Sequence, residues 1–186
     1  MKVINGLDIS KSNGGSIPAK VLKIAAQECC IPLTDCINAC INDGVFPDEL
    51  KLADVIPVHK GDESTCKENY RPISLLPVLS KVIEKVLAFH MSEFMDKRLS
   101  PLLCGFRSKH STQHALFRLI QSWHKSLDNS GKVGTILMDL SKAFDSLPHD
   151  LLLAKLHAYG FSISSLKLIH SYLSNRWQRT RVGSFL

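Results

Sequence analysis

The residues best placed to do chemistry lie in one stretch, Gly134 to Asp150, reading GTILMDLSKAFDSLPHD. Within it Thr135-Ile136-Leu137-Met138 is a short apolar run bounded by Gly134 and Asp139, the pattern of a buried strand. A strand there delivers Asp139 at its C-terminal end, where ligand sites on α/β sheets gather. One carboxylate beside bare backbone amides is half of what a divalent cation and a phosphate require. Asp also caps turns and helices, and spacing alone favours that plainer role. Phe144 and Asp145 follow shortly after, in a turn or short helix leading to Pro148.

Other chemistry-bearing residues are less organised. His110 and His114 have the i, i+4 spacing that can hold a metal, but no third ligand and no intervening Glu accompanies them, so they read as structural. The six cysteines (29, 30, 36, 40, 66 and 104) include no CxxC pair, which speaks against a zinc site and for buried free thiols in a reducing compartment. No G-x-x-x-x-G-K-[ST] motif is present, which leaves a P-loop nucleotidase built around Asp139 as a distant alternative.

Charge is segregated. Lys97 to Leu127 holds six Lys or Arg and no acid, and Leu151 to Leu186 holds five and no acid. Removing those from the 23 basic residues leaves 12 against all 17 acidic ones, so the net charge of +6 resides in two segments. Basic faces of this kind suit phosphate backbones, and solvated helix faces equally. An apolar fraction of 45% is ordinary for a globular chain. No run approaches a membrane span, and the N-terminus lacks the apolar core of a signal peptide. The expected location is therefore intracellular, nuclear or cytoplasmic.

The elements that must position these residues can be read in order. Residues 1–17 are polar and read as an arm or entry loop. Pro18 opens a helix with Val21, Leu22, Ala25 and Ala26 on one face, and a second helix runs from Leu33 to Asn42, ending at Asp43-Gly44. Ala53 to Val58 reads as a strand, placed at an edge by Pro47 and Pro57, and forms a hairpin-like unit with the run 69–76. After Pro77 comes the clearest helix, with apolar pairs at four-residue steps from Val78/Leu79 to Phe94/Met95. Ser111 or Thr112 caps a further helix whose apolar face is Ala115, Leu116, Leu119, Ile120, Trp123 and Leu127. Beyond Pro148 lie helices over 149–159 and 163–174, then a strand through Trp177, Thr180 and Val182.

Four ordered blocks carry a family resemblance: GVFP (44–47) with VIPVHK (55–60), NYRPISLLPVLSKVIEKV (69–86), GFRSKHST (105–112) and MDLSKAFDSLPHDLLLAKL (138–156). Over nearly its whole length the chain resembles the N-terminal part of the reverse transcriptase domain of non-LTR retrotransposons, the jockey-like and LINE-type elements. The resemblance makes Asp139 the first metal-binding carboxylate of a polymerase palm, serving Mg²⁺ with Mn²⁺ as the alternative. It adds the Leu140 carbonyl as a metal ligand and turns the backbone amides of Ser141, Lys142 and Ala143 toward an incoming triphosphate. Phe144 becomes the ring that leaves no room for a 2′-hydroxyl. Lys60 and Arg71 become triphosphate contacts of the fingers. Arg107 and Lys109 fall where the family contacts template or primer, or the fingers–palm junction, a role of positioning phosphates and not of reading bases. Asp145 then supports the turn, and His149 packs.

The chain also departs from the pattern. The Gln usual shortly before GFR is absent, which takes support from a template contact there. The early glycine block, Asn13 to Pro18, lacks its usual Asp. The G-x-P-Q-G and Tyr-x-Asp-Asp blocks do not occur. The expected fold is α+β: helix-rich, reverse transcriptase-like fingers with a partial palm, truncated before the palm is complete. Its divisions are a polar arm at 1–17, a fingers-like region at 18–133 and the start of the palm at 134–186. The parent reaction is template-directed deoxynucleotide addition, with an RNA template, a DNA primer and deoxynucleoside triphosphates as partners. The chain alone is expected to be inactive, with a non-catalytic nucleic-acid-binding remnant or a pseudogene-derived product as the alternatives.

Overall fold

A computed structural model of the chain describes residues 1–181 apart from Ser12, Ser16, Asp62, Ser141 and Lys142. Among these residues the fold mixes seven α-helices with one small three-stranded sheet. The chain forms two compact units, residues 1–90 with 148–186, and residues 91–147.

The first unit contains the core. Its helices are α1 (Lys2–Asn5), α2 (Ala19–Ile24), α3 (Ala26–Asp43), the first part of α4 (Val78–Asp96), α6 (His149–Ala158) and α7 (Ile163–Leu173). Residues 1–17, expected as a polar arm, are instead docked. Ile4 and Leu7 are buried with Leu22, Phe46, Val78 and Val82, Lys81 Nζ donates to Asn13 Oδ1 at 2.6 Å, and Gly14 N donates to Leu76 O at 3.0 Å. The Val3, Ile4 and Leu7 spacing, hidden among polar residues, is the signal that composition obscured.

Pro18 stands at the N-cap, so α2 begins one residue later than expected, and α3 begins at Ala26 rather than at Leu33. α3 carries Pro32 within its first two turns and forgoes the bond Pro32 would have donated to Glu28. It ends as expected at Gly44, whose φ of 65° is the left-handed conformation that closes a helix. Lys167 Nζ donates to the last carbonyl, Asp43 O, at 2.8 Å, where a cation complements the helix dipole. Phe46 is fully buried; its amide donates to Ser171 Oγ at 2.9 Å and its ring meets Tyr172 edge-on at 5.0 Å. Glu84 accepts from Ser80 Oγ and from the Tyr172 hydroxyl, so α4 and α7 share one half-buried carboxylate.

The sheet order is β2-β1-β3, where β1 is Leu52–His59, β2 is Tyr70–Leu75 and β3 is Trp177–Thr180. The hairpin-like unit forms, with β1 and β2 antiparallel, while β3 lies parallel to β1. β1 is central and not at an edge as Pro57 suggested. Lys60 N donates to Asn69 O, and alternation from that pair makes Pro57 and Pro72 a non-hydrogen-bonded pair whose nitrogens face outward. β3 pairs only Leu52 to Val55, so Pro57 lies past its end and breaks no ladder bond.

The second unit consists of the end of α4, the turns at 97–111, α5 (Thr112–Asp128) and the segment to Leu147. No described residue of 91–147 is buried. The strand expected over 135–138 does not form: residues 131–140 carry no regular secondary structure, and Ile136, Leu137 and Met138 are 86–89% exposed. A strand exists only with a hydrogen-bonded neighbour, and the sheet pairs three other segments.

Candidate nucleotide and nucleic-acid site

In the first unit the β1–β2 hairpin positions Lys60 and Arg71. Arg71 stands opposite Val58, and Lys60, just past β1, stands opposite Asn69. Residues opposite one another share a face, so the two cations are diagonal neighbours on one face at the turn end of the hairpin. The turn is tied to itself: Lys60 Nζ donates to Glu68 O at 3.1 Å, Asn69 Nδ2 to Glu63 O at 2.9 Å, and the Tyr70 hydroxyl to Ser64 O at 2.9 Å. Lys60 retains two further ammonium protons. Among the described residues nothing pairs with the exposed Arg71 guanidinium. Further along the same face, buried Asp54 accepts from Arg179 Nε at 2.6 Å, which holds that guanidinium above even its usual value and removes Asp54 as a competitor for Arg71.

In the second unit Arg107 is engaged by its own neighbours. Its side chain is 11% exposed, and all five N–H donors turn inward. Nε and Nη2 donate to Asp96 Oδ1 at 3.0 and 2.9 Å, Nη2 also to Asp96 O, and Nη1 to Ser100 O and Leu103 O. Arg107 is the clamp of the turn after α4, whereas Lys109 has no hydrogen bond or ion pair among the described residues. That lysine is exposed and held at a φ of 62°. Phe106 also has positive φ, 58°, a strained setting for a bulky side chain. Its ring meets that of Phe144 edge-on, centroids 6.2 Å apart, and both rings are exposed. No sequence signal announced that pair.

Asp139, Leu140 and Ala143 are exposed in the same unit. The roles given to Ser141 and Lys142 fall outside the described residues. Several other cations of the basic segments also have committed donors. Arg98 stacks over Phe94 and donates to its carbonyl, Arg118 donates to Pro101 O, and Arg176 lies over Tyr172 and donates to its carbonyl. Their charge remains, but fewer donors are available than the count suggested. His110 and His114, set aside as structural, have ring centroids 6.0 Å apart.

The fold thus belongs to the mixed class of helices around a small sheet, presenting two cations on a hairpin and, in a separate unit, an exposed carboxylate and an aromatic pair. Residues 58–185 match the family described as reverse transcriptase (RNA-dependent DNA polymerase). Over 186 residues, 98% of the chain and 20% of the relative, it is 31% identical to the probable RNA-directed DNA polymerase from transposon BS of Drosophila melanogaster. It is 32% identical over 63% of its length to the RNA-directed DNA polymerase from mobile element jockey, and 30% identical over 83% to that of transposon X-element, both of the same fly. These alignments cover 13% and 17% of those two relatives. The chain belongs to the reverse transcriptase family, alongside the RNA-directed DNA polymerases of non-LTR retrotransposons. It spans a fifth or less of the length of these curated relatives. Among the described residues no helix is long and apolar enough to cross a membrane.

Proposed function

We propose that the chain supplies the nucleotide-approach region of an RNA-directed DNA polymerase: reverse transcriptase-like fingers in which Lys60 and Arg71 receive the triphosphate, and the first part of a palm carrying Asp139. The parent reaction adds deoxynucleotides to a primer on an RNA template. The observation that carries this reading is the hairpin face on which a guanidinium with no partner among the described residues and a partly engaged ammonium are diagonal neighbours. A fork donor beside a point charge suits a polyphosphate. Phe144 bars a 2′-hydroxyl, and Lys109 contacts a template or primer phosphate.

The family implies divalent metal, Mg²⁺ or Mn²⁺, at Asp139 and the Leu140 carbonyl. The residues described do not fit a metal pair by themselves: Asp139 is one exposed carboxylate, and among the described residues no group of three His, Cys, Asp or Glu side chains could hold an ion. The chemistry of this chain alone therefore stops at binding. Arg71→Ala should weaken deoxynucleoside triphosphate binding to the purified chain by about tenfold or more, the worth of a charge-assisted hydrogen bond, while Arg118→Ala leaves it unchanged. Equal affinity in the Arg71 variant overturns the assignment. Primer extension by the chain, lost on Asp139→Asn, overturns the restriction to binding.

A second reading, a non-catalytic nucleic-acid-binding remnant, draws on the basic segments at 97–127 and 151–186. With several arginines committed internally, its log affinity for single-stranded RNA should fall with log salt less steeply than about −4, the slope for six phosphate contacts.

A further inference from the structure

His110 and His114 meet at the entrance to α5, on the turn that Arg107 clamps. His110 lies before the helix and His114 in its first turn, so helical spacing is not what brings the rings together. The turn does so, with Lys109 at positive φ immediately before His110. Each ring is held by its Nδ1. His110 Nδ1 lies 3.0 Å from Ser108 O. A carbonyl only accepts, so this Nδ1 carries the proton and the Nε2 lone pair is free. His114 Nδ1 lies 2.9 Å from Ser111 Oγ. Ser111 occupies the N-cap of α5 yet makes no capping bond; its hydroxyl is turned to the imidazole instead. A hydroxyl can accept from Nδ1–H, which frees Nε2 of His114 as well.

Imidazoles held through Nδ1 by an oxygen, with Nε2 left as the donor, are the arrangement in which histidine ligates metals. A bound ion about 2.0–2.1 Å from Nε2 lies about 3 Å from the ring centre, so one ion can join centres up to about 6 Å apart. The observed separation is 6.0 Å. We propose that His110 and His114 form a two-imidazole site for a nitrogen-preferring first-row divalent cation, with waters completing the coordination, Cu²⁺ bound most tightly and Ni²⁺ and Zn²⁺ less so. Mg²⁺ and Ca²⁺, which take oxygen ligands, are not bound there. The site is independent of Asp139 and of the polymerase reading.

The test is a Ni²⁺ titration of the whole chain followed by the ring-proton NMR signals of its eight histidines. The His110 and His114 signals broaden together at the lowest Ni²⁺, and Mg²⁺ at the same concentration moves neither. His110→Ala and His114→Ala each abolish that first phase while circular dichroism shows α5 retained. Ser111→Ala, which removes the orienting oxygen, weakens binding by about tenfold or more. Broadening that begins at other histidines, or a first phase that survives in the double variant, overturns the proposal. So does an unchanged affinity in Ser111→Ala, because the ring would then not be held as described.

Discussion

Arg107 donates to Asp96, Ser100 and Leu103 through every N–H it has, whereas the Arg71 guanidinium meets no partner among the described residues. Both arginines lie in blocks shared with polymerases, and the blocks alone could not tell a clamp from a ligand contact. The difference lies in an acid eleven positions upstream at the end of α4, a tertiary relation that residue type does not reveal. Arg107→Lys keeps the charge but loses the fork, and should destabilise the second unit by about 2 kcal/mol, the worth of charge-assisted bonds to a half-exposed partner. Urea unfolding followed by Trp123 fluorescence in a Trp177→Phe background measures it. An unchanged midpoint would return Arg107 to the nucleic-acid surface. Asp139 shows the converse. The blocks made its proposed role legible, and its exposure on irregular backbone was not, because strand formation depends on neighbours outside the run.

At the scale of elements, periodicity served the helices well. The apolar steps of α4 and the Asp43-Gly44 stop of α3 stand where the sequence placed them. Pro57 misled because a missing N–H matters only where a bond would have been made, and register decides that. The contact of α4 with α7 through Glu84 gives pH a measurable hold on the fold. Burial first, and then the Glu84 carboxylate, raises the Tyr172 hydroxyl above its ordinary pKa of 10.0. The native state therefore keeps the phenol proton where the unfolded chain has released it, so stability falls as pH rises from about 10 through the native value. Tyr172→Phe should flatten that alkaline decline relative to the parent chain. Lys81, whose pKa burial lowers, has the opposite sign and is common to both proteins. An identical decline in the variant would exclude Tyr172 as its source. Gly14 makes a second test of the first unit, because a Cβ there would collide with Leu75 O. Gly14→Ala should detach the N-terminal segment and lower the melting temperature, an effect that Gly105→Ala, in open space, should not produce.

At the scale of the molecule, the buried apolar side chains among the described residues belong to the first unit, and α5 contributes none. Stability should follow that distribution, with α5 amides exchanging hydrogen faster than those of α3 and α4. The segment after α5 leaves Ile136, Leu137, Met138 and Leu140 uncovered, with backbone groups that no strand pairs. Copies of the chain should associate through it. Met138→Lys should reduce concentration-dependent light scattering without lowering the melting temperature, and scattering that persists would place the contact elsewhere.

That uncovered run also bears on how long the chain lasts in a cell. A protease active site and a chaperone groove both take a peptide as an extended strand, reading its backbone edge and inserting alternate apolar side chains. Residues 135–140 offer an exposed run outside any helix or sheet, so that a cut there requires no unfolding of the core. Digestion under native conditions should open the chain between Ile136 and Leu140 first. The turnover of this chain would then be set by whatever covers that run, and not by the stability of its core.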